Sequence, residues 1–277
     1  MDKYIILEEI SKGSFGTIYK GQHKFTKEYV AIKMALYENN QYNNIKFEAK
    51  LYQYINRFCL KGFPKLKWYG TSYNKKYNYL VTELLGNPLS KIIGKLNFQN
   101  ALNIGIQIIE RIQLFHSLGL IHRDIKPDNF LFGLNETNKN ILYLIDYGFA
   151  KKYIDDETGL HIKKELTNKK SIIGTPKYVS LNVHSEGSSE FSRRDDVESC
   201  IYIIMELIIG KLIWDTNDLE KMYQIKNQIE CNQYLHLPAF LKDLLVYVRN
   251  LTFEEEPNYK YIIDTLSQPL GKVELKH

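Results

Sequence analysis

A dense cluster of unlike polar residues lies near the middle of the chain, directly after an apolar segment. The run from Ile121 to Phe130 contains a carboxylate at Asp124, an ammonium group at Lys126 and a carboxamide at Asn129. A loop that only connects two elements seldom needs three different polar functions in so short a span. The spacing therefore predicts a functional loop.

A second carboxylate stands where a metal ion could be held. Asp146 follows the apolar run Leu142–Ile145, which predicts a buried strand, and Gly148 follows closely. A carboxylate at the end of a buried strand and beside a flexible glycine suits a divalent cation that also contacts polyphosphate. Taken alone, an aspartate at this place more often begins a turn.

Three features near the N-terminus favour phosphate binding. Gly13 and Gly16 lie between two predicted strands, where the absence of a Cβ lets backbone amides approach phosphate oxygens. Lys33 ends a predicted strand, and Glu48 lies on the next predicted helix, where its carboxylate could hold the lysine ammonium. Each feature also has a plain alternative: a simple hairpin, an exposed lysine at a strand end, and one more charged helix residue.

The elements that must position these residues change in type near residue 86. Before it, short β-rich runs alternate with Gly, Asn and Lys turns; after it, the apolar residues follow helical spacing. The predicted strands are Tyr4–Ile10, Thr17–Gly21, Tyr29–Met34, Leu66–Ser72 and Tyr77–Glu83, and the predicted helices are Tyr42–Phe58, Phe98–Leu118, Val197–Ile209 and Ala239–Leu251. The stretch His122–His184 is predicted to be mostly irregular, which is typical of a functional segment. We expect an α+β fold with a small β-rich lobe, a larger helical lobe and a ligand in the cleft between them.

Composition favours a soluble intracellular protein, in the cytoplasm, the nucleus or both. The 277 residues include 37 Lys+Arg and 32 Asp+Glu, and the fractions of 44% hydrophobic and 25% charged residues exclude disorder and membrane bundles. Three scattered cysteines favour a reducing compartment and argue against a disulfide framework or a zinc ribbon. We expect no signal peptide, because the N-terminus lacks the order of basic, then apolar, then small residues. We expect no membrane segment, because the most apolar run, Ile201–Ile209, is too short to span a bilayer.

Taken together, these residues resemble the protein-kinase set of a Gly-rich loop, a strand lysine, a helix glutamate, a catalytic loop and a metal-binding Asp-Phe-Gly. The likeness is to the casein kinase 1 superfamily and runs from residue 4 to about residue 268. It is carried by Gly62–Pro64, Glu83–Gly86, Lys126–Leu131, Ala150–Tyr153, Gly174–Tyr178, Ser192–Ser199 and Glu256–Tyr259. Tyr147 replaces the usual Phe and is similar in this to the vaccinia-related kinases.

The resemblance implies one bilobal protein-kinase domain over residues 1–277. Its N-lobe, a small antiparallel sheet with one helix, would span about 1–84, its hinge about 83–87 and its mainly helical C-lobe about 88–270. ATP and Mg²⁺ are the implied cofactors. Lys33 would hold the α- and β-phosphates and be fixed by Glu48, while Asn129 and Asp146 would hold Mg²⁺. The other implied ATP-binding residues are Ser11, Gly13, Gly16, Ile18, Ala31, Thr82, Glu83, Leu85 and Leu131.

The resemblance further implies an active serine/threonine protein kinase. Asp124 would orient the substrate hydroxyl, and Lys126 would neutralise charge on the moving phosphoryl group. Lys126 and Thr175, which is placed to meet Asp124, are the family's marks of serine/threonine specificity. Where kinases usually have Ala-Pro-Glu, this chain has Ser180-Leu181-Asn182, so the activation segment must be held by other contacts. Asp196 is expected to cap the catalytic-loop backbone.

Charge suggests which substrates are preferred. The segment 151–182 has seven lysines against four acidic residues, a net charge of +3, which would favour acidic or already phosphorylated sites. The lysines are Lys151, Lys152, Lys163, Lys164, Lys169, Lys170 and Lys177. Lys177 stands where relatives carry Arg and is the candidate for phosphate recognition, with Lys221 and Lys226 as looser candidates. A solvated lysine-rich loop is the plain alternative.

Other classes of function are weighed against this one. A catalytically idle scaffold with the same fold and a kinase of small molecules are the two rivals. The intact polar set argues against the scaffold, and the Gly174-Thr175 activation segment, which kinases of small molecules usually lack, argues against the second. Direct nucleic-acid binding is not expected, because no nucleic-acid-binding motif is present and a net charge of +5 is modest. The expected partners are protein substrates, with a monomer favoured.

Overall fold

The computed structural model describes residues 3–13, 16–37, 44–74, 76–164, 172–186, 190–229 and 237–271. In these residues the elements are β1 Tyr4–Gly13, β2 Gly16–His23, β3 Tyr29–Leu36, α1 Asn44–Asn56, β4 Leu66–Thr71, β5 Tyr77–Glu83, α2 Phe98–Ser117, β6 Leu120–Ile121, β7 Phe130–Phe132, β8 Leu142–Leu144, β9 Lys151–Lys152, α3 Leu181–Glu186, α4 Arg193–Ile209, α5 Leu219–Gln228, α6 Ala239–Asn250 and α7 Tyr259–Gly271. The chain divides into two compact units, the first made of Met1–Asn87 and Leu131–Gly148, the second of Pro88–Phe130 and Phe149–His277.

The first unit is built on a five-stranded antiparallel sheet with the strand order β1-β2-β3-β5-β4. All five predicted strands are confirmed, although β1 continues to Gly13 instead of ending at Ile10. One face of the sheet carries an apolar cluster that is formed by Val30, Ile32, Tyr79 and Val81. The apolar cluster thus occupies one face of the sheet, and the side chains of the alternate residues lie on the other face.

Helix α1 packs on this sheet through a regular apolar stripe. Ile45, Ala49, Tyr52 and Ile55 are buried at spacings of four, three and three residues, which is one face of an α-helix. Glu48 lies next to Ala49 within this face and is only 2% exposed. The packing of α1 against β4 and β5 therefore carries a carboxylate into the interior of the unit.

The second unit is helical, and α4 is its central element. All residues of α4 from Asp195 to Leu207 are buried, as the nearly continuous apolar sequence predicts. The helix packs against α2 and α6, and α2 also packs against α7. Gly105 on α2 allows close contact with α4, since a Cβ there would lie 3.1 Å from Cγ1 of Ile204.

The sequence patterns do not predict α3, α5 or α7. Only Met222 and Lys226 are buried within α5, so a lysine interrupts the apolar stripe by which a helix is recognised. The described residues of the stretch His122–His184, 122–164 and 172–184, are mostly irregular as expected, but they also contain β7, β8 and β9 and the first turn of α3. In the described residues, no helix combines the length and the apolar character that crossing a membrane requires.

Candidate active site

Strand register brings predicted nucleotide-binding residues of the first unit to one sheet face. Ser11 pairs with Ile18, Ile18 pairs with Lys33, and Ala31 pairs with Thr82. Directly opposed residues share a face, as do residues two apart in a strand such as Ala31 and Lys33. All five side chains therefore lie on the face opposite the apolar cluster.

The turn between β1 and β2 requires glycine at its second end. Gly16 pairs with Gly13 and has φ +126°, and a Cβ on Gly16 would lie 2.3 Å from the Met34 carbonyl oxygen. A Cβ on Gly13 would meet no atom within 4 Å, so packing does not explain this glycine. The loop residues Ser14 and Phe15 lie outside the described residues.

A backbone hydrogen bond ties the segment after β5 to β7. Glu83 ends β5, and Leu85 follows it and is buried. The Gly86 N–H donates to the Phe132 carbonyl at 2.7 Å. Leu131, the neighbour of Phe132 on β7, is thereby held near the segment that contains the predicted adenine-binding backbone.

Lys33 is held by two carboxylates in the first unit. Its Nζ lies 2.8 Å from Glu48 Oε2 on α1 and 2.8 Å from Asp146 Oδ1 after β8. Burial alone would lower the pKa of Lys33, but the two carboxylates outweigh burial and raise it. The lysine is therefore a fixed ammonium group on the sheet face that carries the predicted nucleotide-binding residues.

Two tyrosines hold the turn that contains Asp146. Asp146 has the left-handed φ of +63°, a conformation that needs support from its surroundings. Its backbone N–H donates to the Tyr52 hydroxyl on α1, and the Tyr147 N–H donates to the Glu48 carboxylate. The Tyr147 hydroxyl donates to the Leu144 carbonyl at 2.8 Å, and its ring lies 4.4 Å from that of Tyr52. Helix α1 thus positions both Lys33 and Asp146.

Asp124 in the second unit is buried, and both of its carboxylate oxygens accept hydrogen bonds. Lys126 Nζ lies 2.7 Å from Oδ2, and the Thr175 hydroxyl donates to Oδ1 at 2.8 Å. The Asn129 amide donates to the Asp124 backbone carbonyl at 2.8 Å. The second unit therefore brings together the four polar residues that the sequence predicts there.

Asp196 at the start of α4 fixes the backbone of the same loop. Its carboxylate accepts from the N–H groups of His122 at 2.6 Å and Arg123 at 2.9 Å, and it lies 3.0 Å from Nε2 of His116. Burial would raise the pKa of Asp196, but these donors lower it. Arg123 has φ +67°, so Asp196 stabilises a strained turn directly before Asp124. The predicted capping role of Asp196 is confirmed.

The end of the activation segment is held by a glutamate from α4. Glu198 Oε1 accepts from the Leu181 N–H at 3.1 Å and lies 3.1 Å from Nε of Arg249. The segment was expected to be held without the usual Ala-Pro-Glu glutamate. The structure supplies a glutamate–arginine pair from α4 and α6 instead.

The candidate anion-recognition lysines have different surroundings. Lys177 Nζ lies 2.7 Å from Glu206 Oε1 and 3.0 Å from Asp215 Oδ2, so two carboxylates already surround it. Lys226 is fully buried, so the suggestion that it contributes to a basic surface is wrong. Lys221 is exposed. The predicted lysines 169 and 170 lie outside the described residues.

The oxygen atoms of Asp146 and Asn129 are hard donors, the type that Mg²⁺ prefers. In the part of the chain that the structure describes, no cluster of three or more His, Cys, Asp or Glu residues is suited to a metal ion. One side-chain oxygen is only part of the octahedral set that Mg²⁺ takes, so a divalent cation at either residue needs further oxygen ligands. Nucleotide phosphates supply such oxygens, so the residues present fit a metal that arrives with a nucleotide.

Sequence reasoning missed Tyr52, although a signal for it exists. Tyr52 lies four residues after Glu48, and residues at this spacing are neighbours on one helix face. Once Glu48 is assigned to the interior, Tyr52 is expected to point the same way. Its hydrogen bond to the Asp146 turn could not be read from the sequence.

Comparison with known families gives a match over most of the chain. The family model of the protein kinase domain matches residues 4–263, a span that includes every predicted site residue. The α+β architecture, an antiparallel five-stranded sheet in one unit and a helical second unit, agrees with this family. A kinase domain implies the use of ATP and a divalent cation and transfer of phosphate to proteins. The chain belongs to the protein kinase domain family.

Proposed function

We propose that the protein is a serine/threonine protein kinase that transfers the γ-phosphoryl group of ATP to hydroxyl groups of protein substrates. The observation that carries this proposal is the clamping of Asp124 by Lys126 and Thr175, one on each carboxylate oxygen. A carboxylate fixed in this way can accept a hydrogen bond from a substrate hydroxyl and aim it at phosphorus. Phosphoryl transfer has a loose transition state, so such positioning supplies much of the catalysis.

The first unit supports the nucleotide side of this proposal. The Lys33 ammonium would contact phosphate oxygens, and Glu48 would keep it in place from α1. Asp146 and Asn129 would bind Mg²⁺, which when bound neutralises charge on the β- and γ-phosphates. The convergence of Lys33, Asp124 and Asp146 on one nucleotide stays a prediction.

The casein kinase 1 resemblance and the lysine-rich segment 151–182 support a preference for acidic or phosphorylated sites. Lys152 already contacts Asp156, and Lys177 contacts Glu206 and Asp215. A substrate anion must therefore compete with the protein's own carboxylates. We expect a modest rate advantage, seen when otherwise identical peptides carry phosphoserine, Asp or Ala before the acceptor. Equal rates for the three peptides would contradict the proposed preference for acidic or phosphorylated sites.

The central test compares wild type with Asp124→Asn, using radiolabelled ATP, Mg²⁺ and casein. We expect the variant to lose at least about a hundredfold in rate, because a neutral amide cannot replace the carboxylate as the group that accepts the proton of the substrate hydroxyl. Asp264→Asn makes the same chemical change at an exposed position on α7 and should retain the wild-type rate. Equal rates for Asp124→Asn and wild type would favour the idle scaffold, and labelled phosphotyrosine in the product would overturn serine/threonine specificity.

A further inference from the structure

The turn that contacts Asp124 is anchored from beneath by buried side chains. Lys226 Nζ on α5 donates to the carbonyl oxygens of Pro176 at 2.7 Å and Val179 at 2.9 Å. The indole N–H of Trp214 donates to the Lys177 carbonyl at 2.9 Å. Three carbonyls of one short turn therefore accept hydrogen bonds from the interior of the second unit.

Lys226 is an unusual residue for this position. It is 0% exposed, whereas lysines are almost never fully buried unless they are paired. Its ammonium lies 5.1 Å from the ring centroid of Tyr202 and 5.9 Å from that of Trp214, where the ring faces attract a cation. The two carbonyls and the two rings together surround the amino group, which therefore links α5 to the turn 175–179 from the interior of the unit.

The anchored turn is the one that holds the catalytic carboxylate. The N–H groups of Tyr178 and Val179 both donate to the Thr175 carbonyl, at 2.8 and 3.1 Å. The hydroxyl of the same threonine donates to Asp124 Oδ1 at 2.8 Å. A shift of the Val179 end of the turn would therefore move Thr175 relative to Asp124.

We propose that Lys226 is a positioning residue for the protein substrate, because it fixes the turn 175–179 against Asp124. This inference rests on the proposed kinase function. The turn and Asp124 both belong to the second unit, whereas Lys33 and its partners belong to the first. Removal of Lys226 should therefore impair use of the protein substrate and leave the KM for ATP unchanged.

The test measures kcat and KM for casein and for ATP in Lys226→Met and in wild type. Met fills a similar volume but donates no hydrogen bond. We expect kcat/KM for casein to fall about tenfold, as when a hydrogen bond from a charged group is lost, while the KM for ATP stays within about twofold. Lys260→Met removes the same charge from an exposed position on α7 and should leave both constants unchanged.

Three results would overturn the proposal: unchanged kcat/KM for casein, an equal rise in the KM for ATP, or the same loss in Lys260→Met. If Lys226→Met does not fold, Lys226→Gln, which keeps two N–H donors, is compared by the same criteria, with a smaller loss for casein expected. An inactive wild type would instead refute the proposed function, which is a different result.

A third measurement needs no variant. Burial lowers the pKa of Lys226 to about 7, with Glu198 opposing this shift and Arg249 adding to it; His184 on α3 also faces the lysine. Its hydrogen bonds should weaken as the proton is lost above pH 7. The wild-type KM for casein, relative to the KM for ATP, is then expected to rise between pH 6 and 8.5. A constant ratio would contradict the proposal if neither variant folds.

Discussion

At Tyr147 a hydroxyl extends from the ring that a phenylalanine would present in most kinases. The hydroxyl is buried and donates to the Leu144 carbonyl at 2.8 Å, directly before the Asp146 turn. Tyr147→Phe keeps the ring contact with Tyr52 but leaves this carbonyl without that donor. Because an unsatisfied buried acceptor is costly, we expect the free energy of unfolding to fall by about 1 kcal/mol.

Urea unfolding followed by circular dichroism measures this change. Tyr73→Phe is the matched control. Tyr73 is fully exposed, so removal of its hydroxyl leaves no buried acceptor without a donor. An unfolding free energy of Tyr147→Phe equal to that of wild type would show that the hydroxyl adds no net stability. A loss of kinase activity at a temperature where the variant is still fully folded would indicate that the hydrogen bond from Tyr147 to Leu144 also orients Asp146.

Residue identity predicts the polar groups of the site better than it predicts their partners. Asp124, Asn129 and Asp146 stand out because unlike polar residues are concentrated beside apolar runs. Lys226 does not stand out, since a lysine in sequence is expected at the surface and only tertiary packing places it inside. Lys177 was predicted to be available for a substrate anion. In the structure it is paired with Glu206 and Asp215, which come from distant parts of the chain.

Among the elements, α4 has a buried carboxylate, Asp195, in its first turn. Asp195 accepts hydrogen bonds from the Ser180 hydroxyl and the Ser192 N–H. Burial raises the pKa of Asp195 to about 6, although these donors oppose the shift. The folded state therefore holds a proton that the unfolded state loses near pH 3.8, and the carboxyl becomes a buried charge only above pH 6.

Asp195→Asn removes this titration and keeps an acceptor oxygen. Stability of the wild type relative to the variant should be greatest below about pH 4 and should fall as the pH rises through 6. A shift from 3.8 to about 6 sets the size of this change at up to about 3 kcal/mol. Urea midpoints of both proteins at pH 4, 5.5 and 7 measure it. A difference that is constant, or that grows with pH, would contradict the prediction.

Most elements with a regular pattern were predictable. The five strands of the first sheet are β-rich runs separated by Gly, Asn and Lys turns, and α4 is apolar enough to be assigned to the core. Helix α5 escapes prediction because Met222 and Lys226 form its buried side. The strands β6 and β9 have two residues each, too few for any periodicity.

At the scale of the whole molecule, the predicted nucleotide-binding residues belong mainly to the first unit, with Asn129 in the second, and the residues predicted to position the substrate hydroxyl belong to the second. Lys33, Glu48 and Asp146 belong to the first unit, and Asp124 and Thr175 belong to the second. The kinase domain match spans both. If the assignment is correct, binding of nucleotide and transfer of phosphate can be separated by substitution in one unit or the other.

Thermal unfolding with and without Mg²⁺ and a non-hydrolysable ATP analogue tests this separation. A ligand that binds only the folded protein stabilises it by about 2.7 kcal/mol at a hundred times its Kd, so the wild-type Tm should rise by several degrees. Asp124→Asn should keep this rise although it transfers no phosphate. Lys33→Met and Asp146→Asn should lose most of it, because each lacks a group that would contact the phosphates or the cation. The rise is taken within each variant, so that a change in basal stability cancels. A full rise in Lys33→Met would mean that nucleotide binding does not depend on the Lys33–Glu48–Asp146 arrangement of the first unit. Loss of the rise in Asp124→Asn would mean that nucleotide binding and phosphate transfer cannot be separated in this way.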